Sequence, residues 1–411
     1  MLPSVVPSLE PLPEEGQGSL DGDNQEPSFG DLASVSPSAH ANFEFPFQDK
    51  RTALYLLHHV REIAPRIDIC DQARNFAIEV PKRAFRSPLL AFSILAFSSR
   101  DWCSLKGVDD AWSDAYYSRA LQILIPVLDD PIELLDENVL AAIVLLRLHE
   151  EMSDMDTGTH LLGSTRLLNS ASTFASQGGI GEAASWIVLR QCLYLSITRS
   201  QPLRINLGNY KASAAFRDSE PESMANRIIL LCAQILTPAV DARQGLDAGT
   251  WGDLGRDVDM WRGEVDWPFA PDEDGVGDDG EGVPDLWVAL PVHAIGFQHY
   301  YLARLLLAVF DPQLWEPGHK ALLSRVDAET LICRNLMMVV ALAISNPGGS
   351  SLGMTAHHAL YAYGALLYDS KQQRSVLGFL SMLSERTGWR TKPLVEKLRG
   401  EWDRRARRAG Y

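Results

Sequence analysis

The chain has 411 residues, 46% hydrophobic and 22% charged, with a formal net charge of -16. That apolar content can bury a sizeable core, which excludes a chain disordered from end to end. The charge is concentrated: residues 1–49 hold nine acids and no Lys or Arg, and Asp241 to Asp285 hold fourteen acids against three arginines. The remainder is close to neutral, so no basic stripe of the kind that displaces counterions from nucleic acid precedes the C-terminus.

Residues 1–45 combine Pro, Ser, Gly and acids with scattered apolar residues, a composition that cannot offset the entropy of ordering. A disordered acidic segment is expected there. It has the composition of an activation segment or of a plain linker. From Asp49 onward apolar residues recur every three and four positions, the helical period. In DKRTALYLLHHVREI the residues Leu54, Leu57, Val60 and Ile63 share one face, which is expected to be the buried one. Ser87 followed by Pro88 reads as a helix start, N-cap then first position, for SPLLAFSILAFSSR. DDAWSDAYYSRALQILIPVL is a further amphipathic run, kinked or ended near Pro126, and Asp136 caps DENVLAAIVLLRLHEEM. More helices are expected at GEAASWIVLRQCLYLSITRS, PESMANRIILLCAQILT, PDLWVALPVHAIGFQHYYLARLLLAVF, DAETLICRNLMMVVALAIS, MTAHHALYAYGALLYD and KQQRSVLGFLSMLSE.

The fold class is all-α, a large multi-helix bundle over residues 46–390, in which AAIVLLRL and LARLLLAVF are apolar all round and suit central helices. Residues 268–285, PFAPDEDGVGDDGEGVPD, form an acidic Gly-rich insertion and are expected to be a mobile loop. Glu385 to Tyr411 carries nine Lys or Arg against four acids, and residues 391–411 are expected to form a basic helix or tail, solvated at its end or serving nuclear import. Cys70, Cys103, Cys192, Cys232 and Cys333 are far apart with no C-x-x-C, which is neither a disulfide framework nor a zinc-ligand pattern. The N-terminus lacks a basic n-region and no run of 18 apolar residues occurs, so a soluble protein of a reducing compartment, away from membranes, is expected.

Several strings resemble chemistry and fail on spacing. GSSLG fits G-x-S-x-G with Ser351 as nucleophile, and MMVVALAIS before it could be a strand, but the α/β sheet that a nucleophile elbow needs is missing. Asp109, Asp110 and Asp114 suggest a magnesium-holding helix, yet no second acidic motif follows, and carboxylates in a first turn suit the helix dipole. The one Glu-x-x-His, Glu316 to His319, encloses Pro317 and Gly318 and is a turn. His58-His59 and His357-His358 point about 100° apart on a helix, poor geometry for joint chelation; one interface side chain and one exposed side chain are expected of each pair. His149, Glu150 and Glu151 end an apolar helix with core residues Leu140, Ile143, Val144 and Leu148. After a polar hinge, His160 begins a new helix in which Gly163 allows close approach. No residue is nominated as catalytic, cofactor-binding or metal-ligating.

This hairpin resembles a hallmark of the fungal-specific transcription factor domain, the regulatory region that usually follows a six-cysteine binuclear zinc cluster. The matching positions are Leu146, Arg147, Leu148, Glu150 and Glu151, then His160, Leu161, Gly163, Ser164, Leu167 and Leu168. LLHHVREIAPRIDICDQARNFAIEVPKRAFRSPLLAFSILAFSSR is similar to the opening of that domain through Ser87, Pro88, Leu89, Ala91, Ile94, Leu95, Ala96 and Ser98. QCLYLSITRSQPLRINL and LGMTAHHALYAYGALLYD resemble later segments, so the likeness spans roughly residues 45–385. It implies a nuclear regulator of a metabolic or secondary-metabolite pathway, contacting transcription machinery or a partner regulator, as a homo- or heterodimer, with a small-molecule effector. The six cysteines are absent, so contact with DNA would be indirect or through a region missing from this chain. The alternatives by residue chemistry are an all-α metal-dependent enzyme, using the acids or the His149 to His160 cluster, and an interaction scaffold.

Overall fold

Helix follows helix because short capping signals start each one and apolar faces give it something to pack on. In the computed structural model, Asp49 accepts the Thr52 N–H at 2.7 Å to start α1, Lys50–His58. A π-turn, His59–Ile63, leads into α2, Ala64–Ile67, and a 3-10 turn, Asp68–Cys70, precedes α3, Asn75–Ala84. Ser87 caps α4, Pro88–Lys106, as expected, by accepting from the Leu90 N–H, and Gly107 at φ 62° closes it in the left-handed region that favours glycine. Next come α5, Ala111–Leu128, and α6, Glu137–Glu151, whose cap Asp136 accepts the Asn138 N–H at 2.8 Å. The bundle continues with α7, Gly179–Arg199; α8, Pro221–Asp241; α9, Ala248–Glu264; α10, Pro291–Val309; and α11, His319–Ser345. It ends with α12, Ser350–Tyr363; α13, Ser370–Thr387; and α14, Lys392–Ala409.

The described residues are 46–47, 49–108, 111–128, 136–152, 165–169, 172–241, 246–269, 283–315, 319–346 and 350–409, and none of them forms a strand. The expected disordered segment 1–45, most of the acidic loop and the hinge with His160 and Gly163 lie outside them.

Packing follows the apolar patterns. α4 lies against α5 and α6, α6 against α7, and α7 touches α3, α8 and α12 as well. α10 is held between α8 and α11, with α12 and α13 closing the side toward α4. The two segments apolar all round are indeed interior: Val139 to Leu146 of α6 and nearly every residue from Val292 to Ala308 of α10 are buried. Pro221–Val240 and Ala321–Ser345 are long and apolar enough to cross a membrane, and most of each is buried against other helices.

Two expectations need correction. Leu54 and Leu57 are 39% and 43% exposed, and the buried face of α1 is Thr52, Tyr55 and His58 instead. The π-turn advances the chain by more residues per turn, so Ile63 reaches the core out of phase with Leu54 and Leu57. His58 and His59 are both buried, not one in and one out, because the same turn faces both rings inward: His58 onto Asp101 and His59 Nε2 onto the Phe76 carbonyl at 3.1 Å. MMVVALAIS is the last part of helix α11, in line with the helix expected over DAETLICRNLMMVVALAIS and not the strand that a nucleophile elbow would need. α14 packs through its earlier turns, where Leu394, Leu398 and Trp402 are buried and Trp402 Nε1 donates to the Gly364 carbonyl at 2.9 Å, while Arg404, Arg407 and Arg408 near its end are exposed, the solvated end that was expected.

Candidate functional site

A helix that is apolar all round should carry no charge, yet α7 places Arg190 and Gln191 among Ile187, Leu189 and Leu193. Both are buried, 7% and 4% exposed, and both border a cavity of about 120 Å³. The volume is of the order at which an apolar core cavity admits a benzene-sized molecule. Six separate parts of the chain line it, five of them being Ile63, Arg66 and Ile67; Phe97 and Asp101 of α4; Leu148, Glu151 and Met152 at the end of α6; Ile187, Arg190, Gln191 and Tyr194 of α7; and Ser351, Met354 and His358 of α12. Thr387 and Trp389 complete it.

Most of its polar groups are already satisfied. Asp101 accepts from His58 Nε2 at 2.7 Å and from Arg66 Nη1 at 3.0 Å, a buried carboxylate with two charge-assisted or polar donors. Arg147 and Glu151, one turn apart on α6, form a buried ion pair at 3.0 Å. Tyr194 lies parallel to His358 at 4.9 Å, and its hydroxyl bonds Thr355 Oγ1 at 2.7 Å and lies 3.3 Å from His299 Nε2. Burial pushes the Tyr194 phenol up to about 12 and the His299 imidazole down to about 4, so both are neutral near pH 7. Arg190 donates from Nη2 to the Ile67 carbonyl at 3.0 Å and makes no ion pair among the described residues. Gln191 has no hydrogen-bond partner at Oε1 or Nε2 among the described residues.

The residues singled out in the sequence are mostly dispersed. Ser351 borders the cavity, but its hydroxyl donates to the Arg66 carbonyl, a helix-to-helix tie and not a nucleophile poised beside a base. Asp114 pairs with Arg100, while Asp109, Asp110 and Glu316 lie outside the described residues and His319 is the exposed first residue of α11. The His149, Glu150 and Glu151 cluster does not converge on one point. His149 Nε2 accepts from Arg100 Nε at 2.9 Å and its ring stacks on Tyr117 at 4.6 Å; Glu150 accepts the Tyr117 hydroxyl at 2.7 Å; Glu151 turns to Arg147. His357 is enclosed beside Trp389 with both ring nitrogens unpartnered among the described residues, and His358 faces the cavity. The groups that do converge, Arg66, Asp101, Arg190 and Gln191, were not singled out. Their signal was a polar residue interrupting an apolar helix face, as in SWIVLRQCLYL, which says that a side chain is costly to bury but not which distant segment meets it.

No family model matches the chain, and no curated protein or solved structure matches it.

Proposed function

We propose that this chain is the regulatory body of a transcriptional regulator of the fungal-specific type, with the cavity beside α7 as its effector site. One observation carries the reading. The four segments whose sequences resemble that domain are far apart in the chain, yet each contributes to this one cavity: Ile63, Arg66, Ile67 and Phe97 from the first, Leu148, Glu151 and Met152 from the second, Gln191 and Tyr194 from the third, and Met354 and His358 from the fourth. A resemblance due only to helical composition would have no reason to gather at one place. Spreading a small site over helices from both halves of the chain also makes it a device for coupling ligand to packing, because a ligand that prefers one arrangement shifts the population toward it. Under this reading the protein works in the nucleus through contacts with transcription machinery or a partner regulator, and reaches DNA through that partner or through a region outside the chain. Control of a metabolic or secondary-metabolite pathway is the corresponding biological role.

The test is to tether the full chain to a heterologous DNA-binding domain upstream of a reporter. The expected result is reporter output shifted several-fold, up or down, from the tether alone. Output indistinguishable from the tether would contradict the reading.

A further inference from the structure

The cavity's chemistry is uneven in a way that specifies a ligand. Its surface is dominated by Ile63, Ile67, Phe97, Leu148, Met152, Ile187, Met354 and Trp389, which suits an apolar body. Its charges do not balance. Asp101 is matched by Arg66 and Glu151 by Arg147, so among these groups Arg190 is left as an uncompensated buried cation. Arg190 also borders a second cavity with Asp71, Glu182, Asp218 and Glu222, but none of these lies within ion-pair distance of it. A buried guanidinium without a carboxylate is a place where an anion is stabilised.

The second observation is independent of charge. Gln191 is 4% exposed, and neither end of its amide has a partner among the described residues. In the orientation the amide takes here, its oxygen meets no donor and its nitrogen no acceptor among the described residues. Buried polar atoms are as a rule hydrogen-bonded, and the neighbouring Arg66, Asp101, Tyr194 and Glu151 obey that rule. Gln191 is therefore the group with both a donor and an acceptor to offer an occupant.

We propose that the cavity binds a compact organic monocarboxylate bearing a ring or branched chain. Its carboxylate is held by Arg190 and the Gln191 N–H donors, and a hydroxyl on the ligand donates to Gln191 Oε1. The proposal rests on the reading of the cavity as an effector site and adds the chemistry of the effector. A hydroxy acid of about this size fits the volume, the single positive charge and both ends of the amide. An amine would place a second cation beside Arg190, and a neutral alcohol would leave Arg190 uncompensated.

Mandelate, its neutral diol counterpart 1-phenylethane-1,2-diol and the cation 2-amino-1-phenylethanol are titrated into the full chain, with binding read by thermal shift and calorimetry. The expected result is saturable stabilisation by mandelate and none by the other two at equal concentration. In the Gln191→Leu chain, which keeps the side-chain volume and loses the unpartnered amide, mandelate should bind at least tenfold more weakly. Arg190→Lys should retain weakened binding and Arg190→Met should lose it; if the Met variant fails to fold, the Leu and Lys variants carry the test. Gln191-dependent binding of the diol or the amino alcohol in preference to mandelate would overturn the ligand class and leave the effector site standing. Undiminished mandelate binding in Gln191→Leu, or no saturable binding by any of the three, would overturn the proposal itself, while the tethered reporter decides the regulator reading separately.

Discussion

Replacing His357 by leucine should make the protein less sensitive to acid. Both ring nitrogens are enclosed without a hydrogen-bond partner among the described residues, and burial, with the neighbouring His358 acting in the same direction, lowers the imidazole from 6.5 to about 3. The folded pKa is depressed, so below pH 6.5 the unfolded chain takes up a proton that the folded chain refuses. Stability therefore falls as pH falls from 6.5 toward about 3. At pH 5 the unfolded ring is largely protonated and the folded ring is not, which costs about 2 kcal/mol relative to pH 7 at 1.4 kcal/mol per pH unit, approximately. Leucine cannot titrate and removes two unpartnered polar atoms, so the variant should be at least as stable at pH 7 and gain about 2 kcal/mol over the wild type by pH 5. Urea unfolding followed by tryptophan fluorescence at the two pH values measures this directly. A difference between variant and wild type that is the same at both would refute the buried, neutral imidazole.

Glu151→Ala removes the buried carboxylate that pairs with Arg147 at 3.0 Å and should cost about 3 kcal/mol, whereas the double change Arg147→Met and Glu151→Leu should recover most of it; a single-variant loss under about 1 kcal/mol in urea unfolding would show that the pair is not buried. Gly388→Ala should cost more than the roughly 1–2 kcal/mol of a left-handed backbone alone, since Gly388 has φ 66° and a Cβ there would lie 2.7 Å from the Ser104 Cβ; a thermal midpoint equal to the wild type would contradict the contact between the end of α13 and α4. All five cysteines are free and buried, and burial pushes the Cys192 thiol up to about 12 and those of Cys70 and Cys333 to about 11. A thiol reagent at pH 8 should leave the native chain unlabelled and modify every cysteine in denaturant; rapid labelling of the native chain would contradict this.

The helical framework was legible because its causes are local. Ser87 and Asp136 cap helices through their own neighbours, and the interior placement of α6 and α10 follows from segments with no polar face to turn outward. The α1 face was not legible, because the π-turn at His59–Ile63 breaks the 3.6-residue period on which Leu54 and Leu57 were counted. α14 was half legible: Leu394, Leu398 and Trp402 stand at helical spacing among the charges that drew attention to the tail. The cavity was hidden for a different reason. Asp101 meets His58 across 43 residues, and Ser351 meets Arg66 across 285, so the site is a product of tertiary packing with no local motif.

The central claim is that this bundle regulates transcription through its cavity. It is tested by transcript profiling after deletion of the gene, with the deletion complemented by the wild-type chain or by an Ile187→Trp chain that fills the cavity and keeps the wild-type thermal unfolding profile. The account predicts that deletion alters a defined set of transcripts, that the wild-type chain restores them, and that the filled chain fails to restore part of the set. A transcriptome unchanged by deletion would contradict it.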